Sequence, residues 1–192
     1  MNVLHITTSL GSGGAEGVMY RLIINDKKNN HFVVCLNNDG FYGSMLKEKK
    51  IYVKSLNISK GYVSFIKLFR LYKIIKKLNP NLIQTWMYKA DLFGGLIAYF
   101  AGVNNIFWGL RHSNFGNKKE IFKMFFFIKF LALMSKFIPK KIISCSQKGM
   151  QIHIEKNYDK KKFIIINNGY DTNIFKPDYH LREKIRKKLK IE

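Results

Sequence analysis

A doubly wound, mostly parallel α/β sheet is the fold class this sequence predicts, and two observations carry the prediction. Short β-branched or aromatic runs alternate with longer stretches of helical period almost from end to end. The 192 residues, 47% hydrophobic and 15% aromatic, suffice for one domain with a sizeable core and exclude a disordered chain. Strict alternation implies parallel strands joined by right-handed crossovers, hence a Rossmann-like sheet.

The elements follow in order. NVLHITT, from Asn2, is the first strand, and the glycines of GSGGAEG end it before a helix from about Gly14 to Asn25. HFVVCL, from His31, is the second strand, followed by a helix near Tyr42 to Lys49. IYVKSL, from Ile51, is the third, followed by a helix from Val63 to Leu78. NLIQT and NIFWGL are the fourth and fifth strands, with a helix near Ala90 to Phe100 between them and another at Lys118 to Phe137 after them. KIISC, a helix at Gln147 to Asn157, and FIII complete the alternation. Pro177 closes the next loop, and Leu181 to Ile191 is a last, basic helix.

The formal net charge of +22 points to anionic partners such as phospholipid surfaces or phosphorylated lipids. The joint abundance of Lys, Asn, Ile, Phe and Tyr is equally what AT-rich codon usage produces. Cys35 and Cys145 sit in apolar, strand-like runs without metal-ligand spacing, so buried thiols of a reducing compartment are expected, with no disulfide and no zinc site. The start MNVLHITTSL lacks the basic region and cleavage site of a signal peptide. No uncharged stretch reaches the roughly 20 residues needed to span a bilayer, and a cytoplasmic setting is expected.

Chemistry concentrates in a few turns. Gly11, Gly13, Gly14 and Glu16 lie in the first βα turn, where glycines let a ligand approach and the next helix offers N–H groups to an anion. Glu16 stands where a dinucleotide fingerprint has its third glycine, which weakens a nicotinamide reading. Close packing explains the glycines as well. After the fifth strand, GLRHSN places Arg111, His112, Ser113 and Asn114 at a strand's carboxyl end, where open α/β sheets bind ligands. Arg111 is suited to a phosphate and His112 to proton exchange with a sugar hydroxyl. In QTWMYKAD, Trp86 and Tyr88 are an aromatic platform or simply core, and Asp91 starts a helix.

Two helices have membrane-facing character. Lys67, Arg70, Lys73 and Lys77 cluster on one side of the first, with Phe65, Ile66, Phe69, Tyr72 and Ile75 over the rest; covering the sheet is its expected role. The second, Ile121 to Ile138, carries Lys129 and Lys136 on a narrow polar stripe, and its excess of phenylalanine favours shallow membrane contact.

LHITTSLGSGGAE, QTWMYKADLFGGLIA, GLRHSN, IISCSQKGMQIHIE and IINNGYDTNIFKP, in this order, resemble the N-terminal domain of family-4 glycosyltransferases of GT-B type. The likeness covers essentially the whole chain. It implies two Rossmann-like domains about a cleft, the N-terminal one binding acceptor and the C-terminal one nucleotide-sugar. It further implies metal-independent transfer with retention, without a cofactor beyond the nucleotide-sugar co-substrate. By position, Gly13 and Gly14 match the loop near the donor diphosphate, with Gly11 and Glu16 beside them. His112 matches the histidine-bearing loop at the reacting centre as the catalytic residue, and Arg111, Ser113, Asn114, Trp86, Tyr88 and Asp91 fall to acceptor binding. Asn167 replaces the proline usual before Asn-Gly-x-Asp. The expected domain spans residues 1–178, residues 179–192 begin an interdomain linker, and the donor-binding domain is absent.

The leading expectation is therefore the acceptor half of a transferase of cell-envelope polysaccharide or glycolipid synthesis. It takes a saccharide or lipid-linked acceptor, works with a nucleotide-sugar held by the missing half, and rests on an anionic membrane surface. The alternatives are a non-catalytic half that needs a separate partner, and a basic nucleic-acid-binding domain, against which the lack of any recognition-helix, zinc or RNA-binding motif counts.

Overall fold

The computed structural model describes residues 1–58, 64–111 and 118–191, with the side chains of residues 118–124 left aside. Seven strands form one sheet: β1 Asn2–Thr7, β2 Asn30–Cys35, β3 Tyr52–Ser55, β4 Leu82–Trp86, β5 Ile106–Leu110, β6 Lys141–Ser144 and β7 Phe163–Ile165. Their order is β3-β2-β1-β4-β5-β6-β7, and every neighbouring pair is parallel. This is the doubly wound arrangement predicted above, with the winding reversed between β1 and β4.

Helices α1 Gly14–Asn25, α2 Gly40–Glu48, α3 Phe65–Leu78, α4 Gly95–Phe100, α5 Lys118–Ser135, α6 Gln147–Glu155 and α7 Tyr179–Leu189 complete the domain. The strands are nearly continuous apolar runs because helices cover both faces. On one face, Leu4, Ile6, Ile83 and Trp108 meet Leu71 and Ile75 of α3, Ala98 of α4 and Leu131 of α5. On the other, Val33, Cys35 and Trp86 meet Met19 and Ile23 of α1 and Leu46 of α2.

Two boundaries differ from the sequence reading for identifiable reasons. The last helix begins at Tyr179, because the Asp178 carboxylate accepts the Leu181 N–H at 2.8 Å and caps it. The expected start of α3 at Val63 lies outside the described residues. The helix expected from Ala90 opens with a π-helical turn, Ala90–Gly94, and becomes α-helical only at Gly95. That turn lies flat on the sheet: a Cβ on Gly94 would stand 2.8 Å from Ile6 Cγ2, and one on Gly95 2.8 Å from Trp108 Nε1.

Gly94→Val is accordingly expected to cost about 1–3 kcal/mol through overpacking against β1. Thermal denaturation should show a drop of several degrees. An unchanged melting temperature would mean that the π-helical turn can lift off the sheet without penalty.

Candidate functional site

In a parallel sheet the strand carboxyl ends and the helix N-termini share one edge, and a crevice opens where the winding reverses. Here the β1–α1 turn, the residues after β4 and the end of β5 meet at that edge. The Ser9 hydroxyl donates to Glu16 Oε1 at 2.8 Å. The Glu16 carboxylate folds back against Gly13, so a side chain at Gly13 would collide with it, whereas Gly11 and Gly14 face open space. The glycines thus divide between the two readings. Gly13 makes room for the protein's own carboxylate, and Gly11 and Gly14 leave backbone open to an approaching molecule. Helix α1 starts there with no side-chain cap.

Arg111, at the carboxyl end of β5, joins three segments. Its guanidinium lies 4.8 Å from the centroid of the Trp86 ring at the end of β4. Its Nη1 donates to Asn168 Oδ1 at 2.6 Å, in the turn after β7. Burial lowers its pKa below the ordinary arginine value. Its Nε is buried with no protein acceptor among the described residues, so the cation is oriented on two sides and unsatisfied on a third.

Beside it lies an open cleft of about 410 Å³ between α1 and the turn after β7, bordered by Arg21, Asn25, Asn168 and Asp171. Arg21 stacks over the Tyr170 ring at 4.9 Å, and its Nε is likewise buried without an acceptor. Arg21 and Tyr170 had no functional signal in the sequence. A lone arginine in a helix is unremarkable until the chain returning from β7 is known to lie against α1.

Trp86, Tyr88 and Asp91 are buried, so the structure places them beneath the edge and not in contact with an acceptor. Trp86 supports Arg111 from below and donates its indole N–H to His5 Nδ1 at 3.2 Å. An indole nitrogen only donates, so His5 must carry its proton on Nε2 and donate to His31 Nδ1, 3.0 Å away. His31 then directs Nε2–H at Asp26 Oδ2, 3.3 Å away. The expected aromatic platform is thus the buried head of a directional chain of rings running to the surface. Asp91 accepts from the Thr85 hydroxyl at 2.5 Å, and burial holds its carboxyl well above the usual range. Tyr88 lies 2.7 Å from His153 Nε2, and His153 Nδ1 lies 2.6 Å from the Gly149 carbonyl. A carbonyl only accepts, so Nδ1 bears the ring proton and the Tyr88 hydroxyl donates to Nε2. These contacts fasten the end of β4 to α6.

His112, Ser113 and Asn114 lie outside the described residues. Cys35 and Cys145 are free thiols, the first buried and pushed up to about 12 by desolvation, which leaves it unreactive. Among the described residues no group of three or more His, Cys, Asp or Glu is arranged to hold a metal ion.

Comparison with known proteins places this geometry in a family. The sequence model described as Glycosyltransferase Family 4 matches residues 12–174. No curated protein matches the chain by sequence. Among solved structures, Anabaena Alr3699/HepE in complex with UDP superposes with a TM-score of 0.78 at 18% identity, over 99% of this chain and 50% of that one. The same protein in complex with UDP-glucose gives 0.77 at 18% identity, over 99% and 50%. The lipopolysaccharide outer core galactosyltransferase WaaB, in its apo form, gives 0.63 at 14% identity, over 89% and 46%. The chain therefore spans about half the length of these structures, and at such identities the likeness concerns the fold: an α/β domain matching half of a GT-B architecture.

Proposed function

The chain belongs to Glycosyltransferase Family 4, and from that premise we propose that it is the acceptor-binding half of an enzyme that transfers a sugar from a nucleotide donor. The observation that carries this reading is Arg111. A cation at the carboxyl end of a central strand, stacked on Trp86, tied to Asn168 and still one acceptor short, is built to meet an anionic or hydroxyl-rich group from outside. The glycine turn with Gly11 and Gly14 open stands on the same edge and receives the diphosphate side of the donor. Glu16, held by Ser9, sets the depth of that turn. His112, Ser113 and Asn114 follow Arg111 directly in sequence and, by resemblance to the family, complete the reacting centre.

The donor is a UDP-sugar, a reading supported by fold likeness to a protein crystallised with UDP and with UDP-glucose. The acceptor is a saccharide or lipid-linked saccharide of cell-envelope polysaccharide or glycolipid synthesis, as fold likeness to a lipopolysaccharide galactosyltransferase supports. Such chemistry draws on cytoplasmic nucleotide-sugar and proceeds without metal and with retention. Trp86, Tyr88 and Asp91 serve it by positioning, since they are buried.

Amide correlation spectra of the isotopically labelled domain, titrated with millimolar UDP-glucose, test the site. Resonances of Gly11, Gly14 and the Arg111 Nε–H should move, and those of α3 should stay. Saturable shifts confined to other surfaces would overturn this placement of the site.

A further inference from the structure

We propose that the face of the sheet carrying α3, α4 and α5 docks on an anionic lipid bilayer, with the first two turns of α3 as its leading edge. This goes beyond sugar transfer and does not depend on it. Right-handed crossovers from β3 to β6 put these three helices on one face, where they share one core. At 100° per residue α3 divides into three sides. Leu71 and Ile75 point inward and are buried. Phe65, 87% exposed, forms an outward crest with Ile66 and Phe69. Lys67, Arg70 and Lys73 occupy the remaining side. The expectation that this helix mainly covers the sheet accounts for its inner side alone.

Each flank of the crest is a groove of different chemistry. Toward α4 lies a groove of about 430 Å³ walled only by apolar and aromatic side chains, among them Leu68, Tyr72, Phe93 and Phe100. Toward the edge strand β3 lies one of about 620 Å³ walled by Lys54, Lys67, Arg70 and Lys73, with Ser55 and Asn57. Lys67 is held in place there by a hydrogen bond to the Asn57 carbonyl. Hydrocarbon on one side of a helix and a phosphate cradle on the other match the two ends of a phospholipid. Further along the same face, Phe126, Phe130 and Leu133 are exposed at helical spacing on α5, Phe126 by 79%, and Phe137 continues the line just past its end. Among the described residues no helix is long and apolar enough to cross a membrane, so the contact is peripheral.

Charge selects the occupant. Phe65–Leu78 contains five lysines and arginines and no acidic residue, in a chain of net charge +22. A second copy on this face would bring two basic rims together, and lysine is depleted where proteins bury surface against one another. An anionic bilayer attracts the rim and accepts the aromatics.

Flotation with vesicles of phosphatidylcholine alone, or with phosphatidylglycerol added, tests this at physiological salt. The wild-type protein should bind the anionic vesicles about tenfold or more tightly than the neutral ones. The double variant Phe65→Ser/Phe69→Ser and the charge variant Lys67→Glu/Arg70→Glu should each lose about tenfold or more of that binding. All four side chains point to solvent, so the melting temperatures should match wild type and exclude misfolding. Absence of flotation with anionic vesicles overturns the proposal, as does undiminished flotation of the Phe65→Ser/Phe69→Ser variant. Self-association lost in that variant, with no vesicle binding, would assign the face to a second copy instead. Flotation reads lipid contact whether or not sugar is transferred, so its failure leaves the transferase reading standing.

Discussion

Between pH 7 and pH 4 the domain is expected to lose roughly 3 kcal/mol of stability through His5 alone. Burial, reinforced by the neighbouring His31, lowers the His5 pKa from 6.5 to about 3. The unfolded chain therefore takes up a proton between these values that the folded chain refuses. Stability is fully present above pH 6.5 and declines as the pH falls toward 3. Geometry agrees with this direction, because a proton on His5 Nδ1 would confront the Trp86 N–H, which can only donate. Asp91 works the other way. Its carboxyl is held well above 3.8 by burial, so its contribution favours low pH and weakens as the pH rises through the carboxylate range. His5→Gln separates the two, since Asp91 and the general charge repulsion are common to both proteins. Denaturant unfolding at a series of pH values should show the stability gap between wild type and His5→Gln narrowing by roughly 3 kcal/mol from pH 7 to pH 4. A gap that stays constant would show that His5 takes up its proton equally in both states.

Arg111→Ala should lower kcat/KM for sugar transfer by about a hundredfold to a thousandfold, the range expected when one oriented charge stabiliser is removed. Arg111→Lys keeps the charge but loses the planar fork that reaches Asn168 and the stacking on Trp86, so it should recover only a small part. Folding should suffer far less, about 1–2 kcal/mol, because the lost contacts are one hydrogen bond and one ring contact. Steady-state kinetics beside thermal denaturation separates the two effects. An Arg111→Ala enzyme with unchanged kcat/KM would remove this residue from the site.

The strands were legible because a sheet covered on both faces demands apolar runs, and NVLHITT, HFVVCL and NIFWGL are such runs. Depth was not legible. Trp86 and Tyr88 suit a sugar platform or a core equally well, and only the packing of α1 and α6 over the end of β4 decides that both are inside. The pairing of His5 with His31 depends on the β1–β2 register, which sets Val3 opposite His31 and His5 opposite Val33; no local pattern encodes it. The Arg21–Tyr170 stack joins residues far apart in sequence through the return of the chain from β7. At α3 the amphipathic pattern was visible, but it cannot tell a helix that buries its apolar side from one that has more apolar surface than the sheet can cover. The exposed Phe65, Ile66 and Phe69 settle that point.

The central claim, that this domain presents the acceptor in a sugar transfer, meets its most direct test in the reaction itself. The enzyme, with a donor-binding half in the same chain or supplied separately, would be incubated with radiolabelled UDP-glucose, UDP-galactose or UDP-N-acetylglucosamine. Membrane and polysaccharide fractions of its source cells would serve as acceptors, with a chelator present. Label from one of these donors should pass into a lipid-extractable or saccharide product, and Arg111→Ala should suppress it. Failure of every donor to label any fraction, with both halves folded and associated, would contradict the account.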